Sequence, residues 1–194
     1  MILLIYTKEK ELIIMETITK QFNVYSLEEL KAVDTEAYEE AMNNVREDYT
    51  ETQIDFFYQD MEETMQEFAK VFNISLTDYS FGVYHNSYVN VDIDDYMDLE
   101  NDEKNDLVKK ANNLKNKDCP FTGIHTDLYI TDYFKENEVT YNDLHKHLDD
   151  VLHVAVSNFM NDLEDDLEDD NNILDYALNE DMEFLEDGSI YRAI

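Results

Sequence analysis

The residues with the most obvious chemical capacity are carboxylates. They are densest in one run, Asp162, Glu164, Asp165, Asp166, Glu168, Asp169 and Asp170, interrupted only by Leu163 and Leu167. A smaller group is Asp92, Asp94 and Asp95. Carboxylates packed this closely can chelate divalent cations, exchange protons in catalysis, or project a negative field onto a basic partner. An EF-hand calcium loop needs acids at alternating positions, a central glycine and a closing glutamate. The stretch 92–98 has acids but no glycine, and Asp187 with Gly188 lacks the preceding ligands. Weak divalent binding is expected, and a dedicated metal site is not. A catalytic carboxylate pair cannot be singled out among 47 acids.

The other candidate groups lead to the same place. On a helix His145 and His147 point about 160° apart, so they cannot share a metal as an i, i+4 pair does. Polar surface positions are expected for both, and an exposed turn for His85. Cys119 is the sole cysteine, which excludes an intramolecular disulfide and a cysteine-based zinc site. Its nearest basic neighbour in sequence is Lys117, so an ordinary thiol in a reducing cytoplasm is expected. There is no nucleophile elbow, phosphate loop or zinc signature. The reading is of a non-enzyme with no catalytic residue and no cofactor.

What remains is the field. The 194 residues carry 47 Asp and Glu against 14 Lys and Arg, for a net charge of −33. Such a chain is not expected to bind nucleic acid or anionic membranes directly, because both attractions need Lys and Arg. The charge is segregated. Residues 32–103 hold twenty acids against Arg46 and Lys70, and residues 118–194 hold twenty-one against Lys135, Lys146 and Arg192, so each block is −18. Between them, residues 104–117 carry five lysines and one aspartate. Like charges at i, i+4, such as Asp162 and Asp166, each cost a few tenths of a kcal/mol on a helix. A sequence that keeps such packing without interleaved cations is read as using the field it creates.

The elements that must carry these groups follow from spacing. With 43% hydrophobic and 12% aromatic residues, the chain can bury a core. Residues 17–25 alternate like a strand, and Ser26 with Glu29 forms a capping box. Helical spacing runs through Ala37, Ala41, Val45 and Tyr49, then through Ile54, Phe57, Met61, Met65, Phe68 and Phe72. Residues 74–84 and 88–94 read as two strands around the turn at 85–87. In the second, Val89, Val91 and Ile93 face one way while Asn90, Asp92 and Asp94 face the other. Residues 99–114 read as a helix, 116–123 as a loop, and 124–130 as a further strand. The longest helical signal spans 142–170, about 40 Å at 1.5 Å per residue, with Leu144, Leu148, Leu152, Phe159, Leu163 and Leu167 on its apolar face. A short helix at 173–178 and an Asp-Gly turn at 187–188 complete the chain. The sum is an α+β fold, an antiparallel sheet with several packed helices, one of them long and acidic. Tyr79, Tyr84, Tyr88 and Tyr96 are candidate contact aromatics beside the acids of the sheet.

Residues 1–14 read as an upstream-start artefact or flexible leader. Lys10 and Glu11 can be encoded by a ribosome-binding sequence shortly before Met15. Residues 15–194 read as one compact acidic domain.

The segment from Ile18 to Leu30, with Tyr25, Ser26, Glu29 and Leu30, resembles the strand, Y-S-x-x-E-L, helix opening of small proteins encoded by phages and mobile elements of low-GC Gram-positive bacteria. The F-x-E-D-G turn at Phe184–Gly188 is similar to the end of the same group, some members of which bear an antitoxin label. The Gly-rich hairpin of that group is absent. In size and charge the chain resembles phage anti-defence proteins, including type II anti-CRISPR and DNA-mimicking anti-restriction proteins. That likeness implies a cytoplasmic inhibitor, in a bacterial host cell, of a basic nucleic-acid-binding nuclease, Cas9 foremost and a restriction complex next. The likeness carries over no contact residue, since it is one of charge and not of motif; the charge density itself selects Asp162, Glu164, Asp165, Asp166, Glu168, Asp169 and Asp170 as the contact residues, with Asp92, Asp94 and Asp95 second. An antitoxin or regulatory adaptor that neutralises a basic protein is the alternative, and a homodimer is left open.

Overall fold

A computed structural model describes residues 2–6, 12–16, 23–83, 85–93 and 99–192. Its elements, in order, are β1 (Ile2–Tyr6), β2 (Leu12–Glu16), α1 (Leu27–Val33), α2 (Thr35–Phe72), β3 (Ser75–Ser80), β4 (Tyr88–Asp92), α3 (Asn101–Leu114), α4 (Asp127–Glu136), α5 (Leu144–Glu168) and α6 (Asp170–Asn179). The fold is α+β with helices dominating. β1 pairs with β2 and β3 with β4, each pair antiparallel. The chain divides into two compact units, Met1–Asn44 with Glu180–Ile194, and Val45–Asn179.

In the first unit the Ser26 hydroxyl accepts from the Glu29 N–H at 3.3 Å, and the Glu29 carboxylate accepts from the Ser26 N–H at 2.8 Å. This reciprocal cap opens α1 as its sequence predicts. Asp34 then accepts from the N–H groups of Glu36 and Ala37 and starts α2. Phe184, fully buried, bridges to Tyr25 and Ile190. The Asp-Gly turn closes there through Gly188, which has φ +83°. A Cβ at that position would lie 2.4 Å from the Ala37 carbonyl oxygen, so the turn needs glycine for both conformation and space. Most of the predicted strand at 17–25 lies outside the described residues.

In the second unit, one apolar core joins Met61, Met65, Phe68 and Phe72 of α2 to Phe134 of α4 and to Leu144, Leu148, Leu152 and Leu163 of α5. Val89 of β4 is fully buried and belongs to the same core, while Asn90 and Asp92 are exposed, which is the alternation read from the sequence. The two predicted segments at 37–49 and 54–72 are a single helix of 38 residues, because nothing between them breaks a helix. α2, not the acidic helix, is therefore the longest element.

One further expectation is corrected. Residues 124–130 do not form a strand, since Asp127 begins helix α4. The apparent alternation of Ile124, Thr126, Leu128 and Ile130 yields to the buried helical set Asp127, Ile130, Thr131 and Phe134. The long acidic helix is present where the spacing predicts it, near 142–170, and runs from Leu144 to Glu168. Its 25 residues span about 37 Å, and Asp169 leaves helical geometry with φ −71° and ψ 112°.

Candidate functional site

The acidic end of α5 is built from carboxylates that tyrosines hold. Asp162 and Asp166 lie one turn apart on the helix. The Tyr129 hydroxyl of α4 donates to Asp162 Oδ2 at 2.9 Å, and the Tyr49 hydroxyl of α2 donates to Asp166 Oδ2 at 2.9 Å. Asn172 Nδ2 donates to the other Asp166 oxygen at 2.8 Å. Tyr176 of α6 stacks obliquely on Tyr49, ring centres 5.1 Å apart, and donates to Asp48 Oδ2 at 3.0 Å. Tyr88 repeats the pattern on the sheet, donating to Asp78 at 3.0 Å.

A phenol supplies one hydrogen bond and no positive charge. It fixes the direction of a carboxylate without cancelling the field that the carboxylate projects. A lysine or arginine in the same place would do both, as Arg46 does toward Asp170 at 2.7 Å. The phenols register their surroundings. Burial first and then Asp166 push Tyr49 up to about 12, and burial with Asp162 raises Tyr129 further above the ordinary phenol range.

The remaining acids of the run divide by role. The Asp169 N–H closes α5 on the Asp165 carbonyl, while Asp169 Oδ1 accepts from the Asn171 N–H at 2.8 Å and caps α6. Asp170 sits in the first turn of α6, where the helix dipole favours an acid. These two residues therefore escape the unfavourable dipole interaction that a continuous helix would impose on them. Glu164 lines a polar cleft of about 270 Å³ with His85 and His153. Asp165 and Glu168 are exposed, and among the described residues no donor reaches either side chain. Asp92 is exposed on the outer face of β4, and Asp94, Asp95, Tyr84 and Tyr96 lie outside the described residues.

Other acids are exposed on α2 without having been singled out by sequence. Glu47, Glu51 and Asp55 on α2 are exposed and recur every fourth residue, about 6 Å apart along the axis. Their signal was the block charge of residues 32–103, which a search for dense runs passes over.

Asp127 is an acid of a different kind, fully buried. Its oxygens accept from the N–H groups of Phe121, Thr122 and Gly123 at 2.7, 2.9 and 3.2 Å, and from the hydroxyls of Thr64 and Thr122 at 2.9 and 2.8 Å. It pins the loop that delivers Tyr129. Thr126 bonds to Thr64 at 2.7 Å and to the Asp60 carbonyl at 3.2 Å, tying that loop to α2.

Between the loop, α2 and α5 opens a cleft of about 280 Å³. Phe57, Phe159 and Leu163 give it apolar walls, and Asp60, Asp162 and Asp166 reach it from the rim. Burial and the neighbouring Glu63 raise the Asp60 carboxyl above the usual range.

His145 is exposed as expected, but His147 is half-buried, with Nδ1 2.9 Å from the Tyr133 hydroxyl. The i, i+2 spacing turns the two rings to different sides of α5, so only one of them meets α4. Among the described residues no group of three or more His, Cys, Asp or Glu is arranged to hold a metal ion, and no helix is long and apolar enough to cross a membrane. Comparison with protein-family models, curated proteins and solved structures finds no match.

Proposed function

We propose that this chain acts as a nucleic-acid mimic, seating its carboxylates in the Lys- and Arg-lined cleft of a nucleic-acid-binding protein and excluding nucleic acid from it. The observation that carries the reading is the use of Tyr49 and Tyr129 to orient Asp166 and Asp162. Oriented, uncancelled charge on rigid helices is what steering into a basic cleft requires. Holding it with phenols also spares the ordering entropy that a disordered acidic tail would lose on binding. The exposed acids Asp165 and Glu168 of α5 and Glu47, Glu51 and Asp55 of α2 add to the field that these oriented acids project. A host nuclease is the partner class, with Cas9 the first target to test and a restriction complex the second.

The test is to immobilise the chain, expose it to bacterial host lysate, identify retained proteins by mass spectrometry, and add duplex DNA. Duplex DNA should release the partner, and a neutral polymer should not.

One observation favours a second reading, an antitoxin or adaptor working through the sheet. Tyr88 is 42% exposed and its hydroxyl is held by Asp78, which presents an aromatic with a fixed polar tip on the same strand as Asp92. A partner bound there would stay bound in the presence of DNA and would be lost on Tyr88→Ala.

A further inference from the structure

We infer that the cleft walled by Phe57, Phe159 and Leu163 is a receptor for one arginine side chain of the protein partner. This rests on the reading that the partner is basic and adds the place where its central contact would be made.

The cleft has the size of one side chain. At about 280 Å³ it falls at the lower edge of small-molecule sites, which run on the order of 300–1,000 Å³. Its lining has matching chemistry. Phe57, partly exposed, offers aromatic surface for the stem of a long side chain, and the buried Phe159 and Leu163 close the floor behind it. Three carboxylates, Asp60, Asp162 and Asp166, border this surface, and neither lysine nor arginine lines it.

These carboxylates also keep unused acceptor capacity. The Asp60 carboxylate receives no hydrogen bond among the described residues, and burial together with Glu63 already disfavours its charge. Asp162 is bonded through Oδ2 to Tyr129, which leaves Oδ1 for a further donor. A cation placed between them would satisfy both. A bare metal ion is a poor fit, because among the described residues these acids form no metal-holding group. Guanidinium fits better than ammonium. It is planar, weakly hydrated, presents a fork of donors to carboxylates, and stacks on an aromatic face such as that of Phe57.

The probe is N-acetyl-arginine amide, titrated into the ¹⁵N-labelled full chain, with the neutral isostere N-acetyl-citrulline amide and N-acetyl-lysine amide in parallel. The arginine compound should shift the amide signals of Ile124, Thr126 and Tyr129 saturably, with a Kd on the order of 1 mM. Citrulline amide should leave them in place, and lysine amide should bind several-fold more weakly. Asp60→Asn removes a charge without breaking a hydrogen bond, so it should fold normally and weaken arginine binding about tenfold. Asp165→Asn with Glu168→Gln should not change it. Equal shifts from citrulline, unsaturable shifts spread over every acidic helix, or unchanged binding in Asp60→Asn would each overturn the assignment. Saturable arginine binding in a chain whose lysate partner ignores DNA would uphold the cleft and sink the mimic. A DNA-displaced partner without arginine binding would do the reverse.

Discussion

The Tyr49 hydroxyl on α2 lies 2.9 Å from Asp166 Oδ2 on α5, and it grips that acid without bringing a countercharge to it. The same relation joins Tyr129 to Asp162 and Tyr176 to Asp48, so helices α2, α4, α5 and α6 of this unit are cross-linked by phenol–carboxylate bonds. Repulsion among the acids is tolerated because these bonds oppose it, and they do so without adding cations.

Tyr49→Phe removes one such bond and leaves the ring. A hydrogen bond to a charged group contributes about 1.5–3 kcal/mol, less where it is partly solvated, so a loss of about 1–2 kcal/mol is expected in urea denaturation. Arg46→Met, which breaks a partly exposed ion pair, should cost less than about 1 kcal/mol.

Stability should fall on the alkaline side. Tyr49 and Tyr133 are both raised to about 12 in the fold, against an ordinary phenol value near 10. A raised folded-state pKa means that the protonated phenol is favoured by folding. The contribution is complete below about pH 10 and is lost as pH rises through about 12. Denaturation midpoints should therefore drop over that interval, and absorbance at about 295 nm, where phenolates absorb, should show these phenols and Tyr129 ionising last. Tyr49→Phe should flatten part of that slope.

Asp127→Ala should be the most destabilising single change to an acid. It strands three N–H donors and takes an acceptor from two hydroxyls, for an expected loss of at least about 3 kcal/mol. Asp127→Asn should lie between it and the parent chain. Equal stability of all three by denaturation would contradict the role given to this carboxylate.

Gly188→Ala addresses the first unit alone. The added Cβ meets the Ala37 carbonyl at 2.4 Å in a left-handed backbone, and a loss of at least about 1 kcal/mol is expected. Slowed hydrogen exchange at Tyr25 and Phe184, whose N–H groups bond to each other's carbonyls, should disappear in the variant.

Local chemistry was legible and remote pairing was not. The Ser26–Glu29 cap, the Val89–Val91 alternation and the Asp-Gly turn each depend on neighbours within a few residues, and the sequence announces them. Tyr49 and Asp166 are 117 residues apart, and Asp48 and its phenol, Tyr176, are 128 apart. No periodicity reports such pairs. Nothing in the sequence singles out Asp127, because its hydroxyl partner Thr64 is 63 residues distant. The break at Asp169 was visible in principle. Asp and Asn at 169–172 are helix-capping types, but read as charge density they concealed a new N-terminus. Acids of the 162–170 run that looked equivalent in sequence thus separate into holders of structure and an exposed remainder.

Competition between that exposed remainder and nucleic acid for a basic cleft is the core of the proposed function. Its most direct test is a competition titration of the lysate partner between labelled duplex DNA and this chain, repeated from about 50 to 200 mM salt. Mutually exclusive binding is predicted, with an affinity that falls steeply with salt and collapses when Glu47, Glu51, Asp55, Asp165 and Glu168 are changed to their amides. A ternary complex with DNA, or a partner affinity indifferent to salt and to those five substitutions, would contradict it.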